Sequence, residues 1–444
     1  MFTVLSKQPS ILEFVIENVD VSIVNAVRRV ILSEIPNVAV SFDSAHAHAL
    51  TNDIVFKTNT SNMHNEFLGK RLSLMPLCFD ADEIQTFDPD KYLFIINKKG
   101  GDQVTTGDIR IMDETGNPYP DAFVDKIFPT DPVTGDHILL AWLKPDATIH
   151  VEFRARKGIA MTHARWCPVS TCTYYNTLDE DKIAVEYKAL KVLATELLKA
   201  AGKDDAAILD AKLKINSNEN KFDTIDKYRL FKTNQYDEPS SFNFKVETEC
   251  RLEPAYLVSS GLSILRTKVL AVAQKTKIEV INKETNMYAL NVPDEDNTIG
   301  NLVQCSVYNN YVRANNLVDF IGYFQPHPLD RNIVFKIRLF DDKTDLVEFW
   351  DTALQLLAKT LDTMLIEWPK AKAFKASKTS KTSKTSKASK PKAAPKKKSK
   401  AKSGHSSNAS NASGHSSDDD DDKTVVASKL KPKATKASAK KSVQ

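Results

Sequence analysis

Glycine is scarce in this 444-residue chain, at 13 residues, and cysteine scarcer, at five. No Gly-rich phosphate loop of either common type is present, and no nucleophile elbow. The cysteines lack paired spacing: Cys167 and Cys172 enclose CPVSTC, the wrong interval for a zinc knuckle, with no second pair. Such usage, and the lack of a cleavable apolar leader after Met1, fits a reducing intracellular setting, where the sequon at Asn59–Ser61 is a plain loop. No apolar run approaches the ~20 residues that span a bilayer, so no membrane association is expected. His46 and His48 would share one side of a strand at Val38–Leu50, but zinc needs three or four donors and no third is near. The acidic turn Asp294–Asn297 lacks the glycine and distal glutamate of a calcium loop and reads as helix capping. No carboxylates pair in a way that suggests acid–base work. No active site, no cofactor and no metal are expected.

Arginine is absent from the last stretch. Lys370–Gln444 holds 21 lysines and five aspartates, a balance of +16, which leaves the first 369 residues at −12. An acidic body and a basic tail therefore have to be argued separately. The tail is Lys, Ser, Thr and Ala with few apolar residues, so nothing offsets its ordering entropy and a disordered segment is expected. SKTSKTSK repeats within it, and Lys396, Lys397 and Lys398 form its densest cluster. That cluster suits phosphate neutralisation or nuclear import, and Asp418–Asp422 could moderate it by folding back.

The body reads as α+β. Ile11–Val19 alternates as a strand with Leu12, Phe14 and Ile16 on one face. Val21–Pro36 follows, with Val24, Val27, Ile31 and Ile35 at helical spacing, Asp20 as N-cap and Pro36 as stop. Arg28 and Arg29 fall off that stripe. Met63–Leu77 reads as a short helix. Residues 82–238 change texture, with turn signals at 99–101, 115–118 and 134–136 and an alternating strand at Thr148–Lys157. Within them Lys182–Leu213 is a charged surface helix, interrupted near Gly202. Ser241–Thr248 is a strand and Pro254–Ala273 a helix. A third block from about Lys283 holds a strand at Met287–Val292, a helix at Thr298–Tyr308, a strand at Asn332–Phe340 and a long helix at Thr344–Trp368. Trp350, Leu354, Leu357 and Leu361 in that last helix form a stripe that wants a partner.

The first and third blocks echo each other. Ser22-Ile23-Val24-Asn25-Ala26-Val27 aligns with Thr298-Ile299-Gly300-Asn301-Leu302-Val303, each after a strand and acidic residues. Two similar halves paired in one chain, a pseudo-dimer, would explain it.

These stretches resemble a known family. NAVRRVILSEIPNVAV with NEFLGKRLSLMPL is similar to the dimerisation domain of RNA polymerase α-like subunits: bacterial α, archaeal D and the eukaryotic third subunit. KGIAMTHARWCPVS (Lys157–Ser170) resembles its second-domain motif, and FKVET (Phe244–Thr248) the return strand. PDEDNTIGNL and IGYFQPHPLDRNIVFKI resemble the smaller partner, archaeal L or the eukaryotic eleventh subunit. The fusion resembles polymerases of large cytoplasmic DNA viruses.

The resemblance implies two α+β dimerisation halves, at 1–81 with 239–276 and at 283–368, with a mostly-β insertion at 82–238 and the tail from 369. Their seam would be built by Val24, Val27, Ile31, Ile35, Ile299, Leu302, Val303, Trp350, Leu354, Leu357 and Leu361. Asn25, Arg28, Arg29, Lys70 and Arg71 would face the second-largest polymerase subunit. Expected partners are the two largest and several smaller polymerase subunits, with DNA indirectly or through the tail, and no homodimer. A viral protein would sit in the virion and host cytoplasm; the lysines also allow the nucleus. Some relatives carry a metal-binding cysteine cluster, but residues 79–166 have no cysteine. Ala160 replaces a family glycine, which puts the turn there in question. The alternative reading is a basic-tailed DNA-binding or packaging protein, which has no need of two paired halves.

Overall fold

The computed structural model describes residues 1–43, 53–248, 252–282, 284–315, 317–340, 344–370 and 372–373. His46, His48 and the tail cluster Lys396–Lys398 lie outside them. The chain opens with β1 (Phe2–Lys7) and β2 (Ile11–Glu17), then α1 (Val21–Ser33) and the short β3 (Asn37–Ala39). Asp20 caps α1 by accepting from the Ser22 amide at 2.8 Å, which satisfies one of the orphan donors of the first turn.

An inserted layer follows: β4 (Ile54–Asn59), α2 (Asn65–Leu74), α3 (Ala81–Gln85), β5 (Leu93–Lys99), β6 (Gln103–Thr105), β7 (Ile109–Met112), α4 (Asp121–Ile127), β8 (Leu139–Trp142), β9 (Thr148–Phe153) and β10 (Arg156–Gly158). Its main sheet runs β4-β9-β5-β7. Phe94, Ile96, Ile149, Val151 and Phe153 fill its buried face, every second residue of each strand, as the alternating pattern requires. Next come β11 (Val169–Asn176), the helices α5 (Glu180–Ala201) and α6 (Asp205–Thr224), β12 (Ser241–Thr248) and α7 (Pro254–Lys275). The break between α5 and α6 falls at Gly202, whose φ of +62° favours glycine. No residue of α5 is buried, in keeping with a surface insertion.

Strand pairing shifts the insertion's edges from the change in texture at 82 and 238. β4 pairs with β9 of the inserted sheet, whereas β11 pairs with β12 in the first sheet, ordered β11-β12-β2-β1. Phe14 and Phe244 stack across β2 and β12 at 5.2 Å in the core of that sheet.

The second half consists of β13 (Lys277–Asn282), β14 (Met287–Pro293), α8 (Asn297–Val307), β15 (Val318–Phe324), β16 (Asn332–Leu339) and α9 (Leu346–Glu367). Its sheet is ordered β15-β16-β14-β13, the same succession as β11-β12-β2-β1. After α9 the chain adds β17 (Lys372–Ala373), parallel to β1 of the first sheet.

One expectation is corrected here. α7 is long and apolar enough to cross a bilayer by composition. Its apolarity is used inside the protein: Leu257, Leu262, Leu265, Val269 and Val272 are buried, because α7 is flanked by α1 on one side and α9 on the other.

Candidate functional site

The helices α1, α7, α8 and α9 meet in one apolar seam. Val24, Val27, Ile31 and Ile35 from the first half are buried, as are Ile299, Leu302, Val303, Trp350, Leu354, Leu357 and Leu361 from the second. Gly261 lets α7 lie close to α1, since a Cβ there would stand 2.8 Å from Ile31 Cγ1. Two tryptophans lock the ends of the helix pair. Trp350 Nε1 donates to Thr276 Oγ1 at 3.1 Å, and Trp368 Nε1 donates to the Ala255 carbonyl at 3.0 Å. Trp368 also packs against Phe14 at 4.7 Å and Phe2 at 5.1 Å, so the second half reaches the first half's sheet.

Polar contacts across the seam follow a pseudo-two-fold axis. Arg29 Nε donates to Thr298 Oγ1 at 2.7 Å, and its Nη2 lies 3.4 Å from Asp296. In the alignment of the two halves Arg29 corresponds to Cys305 and Thr298 to Ser22, and Cys305 does face Ser22 and Asp20. Burial pushes the Cys305 thiol up. Asp296 caps α8 through the Thr298 amide at 2.8 Å, as Asp20 caps α1. Burial works against the charged Asp296 carboxylate, but the Thr298 hydrogen bonds and the Arg29 charge outweigh it and hold its pKa below the usual range. Asn309 Nδ2 donates to Asp20 at 3.1 Å, so each N-cap carboxylate is also held by the opposite half.

Sequence reasoning missed a buried charge cluster. Lys268 of α7 reaches Glu34 at 2.8 Å and Glu295 at 3.2 Å, and Lys275 reaches Glu295 at 3.1 Å. Glu295 is 1% exposed, so capping explains Asp296 in the acidic turn but not its neighbour. Lys268 lies three residues beyond Leu265 of the apolar stripe, and that spacing was the available signal. A second cross-seam lock joins Arg313 to Glu238 at 2.6 Å, with the guanidinium between Tyr236 and Tyr308. Arg313 closes a π-helical turn, Tyr308–Arg313, that extends α8.

The residues expected to face a larger subunit divide into three kinds. Arg28 is half-buried, donates twice to Asn25 Oδ1 (3.1 and 2.9 Å), and has no carboxylate partner among the described residues. Arg29 remains exposed, its side chain 44% accessible, while its Nε and Nη2 reach Thr298 and Asp296 at the margin of the seam. Arg71 ties α2 to β8, its Nη2 donating to the Leu139 carbonyl at 2.7 Å. Lys70 is exposed, on the rim of a groove lined by Met63, Phe67, Leu74 and Trp142. Phe67, Leu74 and Trp142 are each more than 60% exposed, which makes a contiguous apolar surface with a cationic edge.

Lys157–Ser170 braces the end of α1. The Met161 amide donates to the Ser33 carbonyl at 2.7 Å, and Cys167 Sγ lies 3.5 Å from the Leu32 carbonyl. Arg165 donates to the carbonyls of Val40 and Phe42, at 3.1 and 2.8 Å. Gly158 is needed there, since a Cβ would fall 2.4 Å from the Trp166 ring. Ala160 is not among the non-glycine residues with positive φ, so its turn does not require the glycine.

Two structurally equivalent α+β halves, sealed by four helices, define a dimerisation platform of the α-like type. The chain belongs to the RNA polymerase Rpb3/Rpb11 dimerisation-domain family, whose pattern matches residues 13–269 and, in a second form, residues 288–367. It is 27% identical over 293 residues to subunit 3B of DNA-directed RNA polymerases IV and V from Arabidopsis thaliana (59% of this chain, 86% of the relative). It is 26% identical over 275 residues to the Rpo3 subunit from Thermococcus kodakarensis (60% and 94%). With subunit RPAC1 of polymerases I and III from Saccharomyces cerevisiae it shares 27% over 289 residues (56% and 80%). This chain stands with them as a polymerase subunit rather than an enzyme in its own right.

Proposed function

We propose that this chain is the assembly platform of a multisubunit DNA-directed RNA polymerase, in which one polypeptide supplies both members of the pair on which the two large catalytic subunits gather. The observation that carries this reading is the seam itself: two family domains in one chain, related by a pseudo-two-fold axis and closed by buried apolar helices. Covalent fusion fixes their stoichiometry and makes their pairing intramolecular. Arg28, Lys70 and the Phe67–Leu74–Trp142 groove form the surface offered to the second-largest subunit. A guanidinium suits planar carboxylate pairing, and exposed aromatics supply anchor area. The smaller subunits join the same platform. The fused arrangement supports a viral polymerase, with the protein in the virion and the host cytoplasm. The lysines around Lys396–Lys398 would add salt-sensitive attraction to DNA.

The test is affinity purification of the tagged chain followed by mass spectrometry. The two largest polymerase subunits are expected in the eluate. Arg28→Glu together with Trp142→Ala should leave the fold intact and deplete the second-largest subunit at least tenfold. Unchanged recovery from the double variant would remove this surface from the docking role, and absence of both large subunits with the unaltered chain would sink the assembly reading.

A further inference from the structure

The two sheets match strand for strand, up to one position. Counting outward from β11, the first sheet runs β11, β12, β2, β1 and then a fifth strand, β17. Counting outward from β15, the second runs β15, β16, β14 and β13, and among the described residues nothing follows. The fifth place of the first sheet is filled by a parallel segment entering from the end of the other half's last helix, with Thr3 opposite Lys372 and Val4 opposite Ala373. Among the described residues the second half has no such donor, because the helix that would supply it, α7, runs through Thr276 straight into β13.

The bare edge is defended on one face only. Natural edges are blunted by short strands, prolines, charges or bulges. β13 is six residues long, KIEVIN, without proline; its charges, Lys277 and Glu279, share one face, and a bulge lies near its end, between Val280 and Asn282. All six residues are exposed, including Ile278 at 37%, Val280 at 50% and Ile281 at 49%. Ile278 and Val280 pair with Leu290 and Tyr288 and so share the face that the helices cover in the rest of the sheet, leaving a row of apolar side chains at its margin.

We infer that the free edge of β13 receives a short extended segment from another polymerase subunit, which adds to the second sheet as its fifth strand. This rests on the assembly reading above. Main-chain hydrogen bonds would supply affinity and alternate side chains the specificity. The segment that fits carries apolar residues at every second position, set beside Ile278 and Val280, with polar or charged residues between them facing Lys277 and Glu279. A second copy of this chain is a poorer occupant, since antiparallel self-pairing over five residues of β13 would set Glu279 against its own copy or against Ile281.

The experiment is hydrogen–deuterium exchange of the peptide spanning β13, in the isolated chain and in the polymerase purified through it, with an Ile278→Lys/Val280→Lys variant alongside. About half of the β13 amides, those pointing away from β14, should exchange at least tenfold more slowly in the assembled enzyme. The variant should denature at the wild-type midpoint yet lose the donor subunit from the purified complex. Equal exchange in both states, with full assembly of the variant, overturns the strand addition and leaves the platform reading standing. Protection that appears in the isolated chain and grows with its concentration assigns the edge to a second copy and overturns the proposal. Absence of any polymerase subunit from the wild-type purification removes both readings together.

Discussion

Lys268 offers the sharpest test of how the seam is held. Its side chain is 16% exposed, and it bridges Glu34 (11% exposed) at the end of α1 to Glu295 (1%) in the turn before α8. Three elements from both halves therefore depend on one ammonium. Removing one partner of a buried pair costs about 3–5 kcal/mol, mostly because a buried charge is left behind. Lys275 still reaches Glu295 in the Lys268→Ala variant, so a loss near the lower end, about 3 kcal/mol, is expected from chemical denaturation at neutral pH. Neutralising Lys268, Glu34 and Glu295 at once, by Lys268→Met with Glu34→Gln and Glu295→Gln, should recover most of it, since no buried charge is then stranded and Lys275, which loses Glu295, is 36% exposed to water. Arg266–Asp362, between α7 and α9 but 38% and 39% exposed, is the internal control: Arg266→Ala should cost under about 1 kcal/mol. The pH dependence has a definite sign. Burial opposes the charged form of Lys268, but the hydrogen bonds and charges of Glu34 and Glu295 outweigh it, and its pKa lies above the ordinary 10.5. With both carboxylates charged, the contribution is thus complete below pH 10.5 and is lost as pH rises through the raised value, so wild type and Lys268→Ala should converge in that alkaline range. A Lys268→Ala loss under about 1 kcal/mol, no larger than that of Arg266→Ala, would refute the reasoning.

Other consequences can be measured on the same material. Asp296 and Glu238 are held below their ordinary carboxylate values, Glu238 by hydrogen bonds from Arg313 and then Asn234, so their contributions are complete above about pH 4.5 and fade as pH falls through the lowered values. Asp296→Asn with Glu238→Gln should flatten the acid limb of the stability profile, and an unaltered limb would exclude these groups. Gly261→Val drives a branched side chain into Ile31 and should cost about 1–3 kcal/mol, with Ile31→Ala returning part of it; strict additivity would show that the two sites do not touch. Truncation after Ser377 keeps the β17 pairing and should lower retention of the polymerase on DNA at low salt while leaving its assembly intact. Unchanged retention would remove the tail from DNA binding.

Periodicity made the seam legible because each seam helix carries an apolar stripe in its own sequence: Val24 to Ile35, Leu257 to Val272, Leu346 to Met364. It could not say what lies opposite a given turn. Arg29 sits off the stripe of α1 and is exposed, and nothing local states that Thr298 and Asp296, remote in sequence, are brought beside it. Glu295 and Lys268 fail for the same reason: each alone is a charge at a helix end or flank, and only three-way convergence buries them. Sheet membership was also beyond local reading. Ile54–Asn59 and Val169–Asn176 alternate as ordinary strands, and nothing in either states that the first joins the inserted sheet and the second returns to the first half. β13 carries apolar residues on both faces, so it has no buried-face signature to announce it.

The junction between the halves leads to a last expectation. Thr276 ends α7 and precedes the first residue of β13, and its hydroxyl accepts from Trp350 of α9, so one residue belongs to the first half's helix, the second half's sheet and the seam between them. A pair of separate subunits would dissociate before or during unfolding, and its midpoint would rise with protein concentration. Here the second half cannot leave without freeing Trp350 from Thr276 or unpairing β13 from β14. The fused pair should therefore unfold with a midpoint independent of concentration across a hundredfold range, and the fluorescence of buried Trp350 and Trp368 should change together with the far-ultraviolet circular dichroism of the sheets. A tryptophan transition that precedes loss of secondary structure would show that the halves part while still folded, and that α7 and β13 act as a linker rather than as a shared strut.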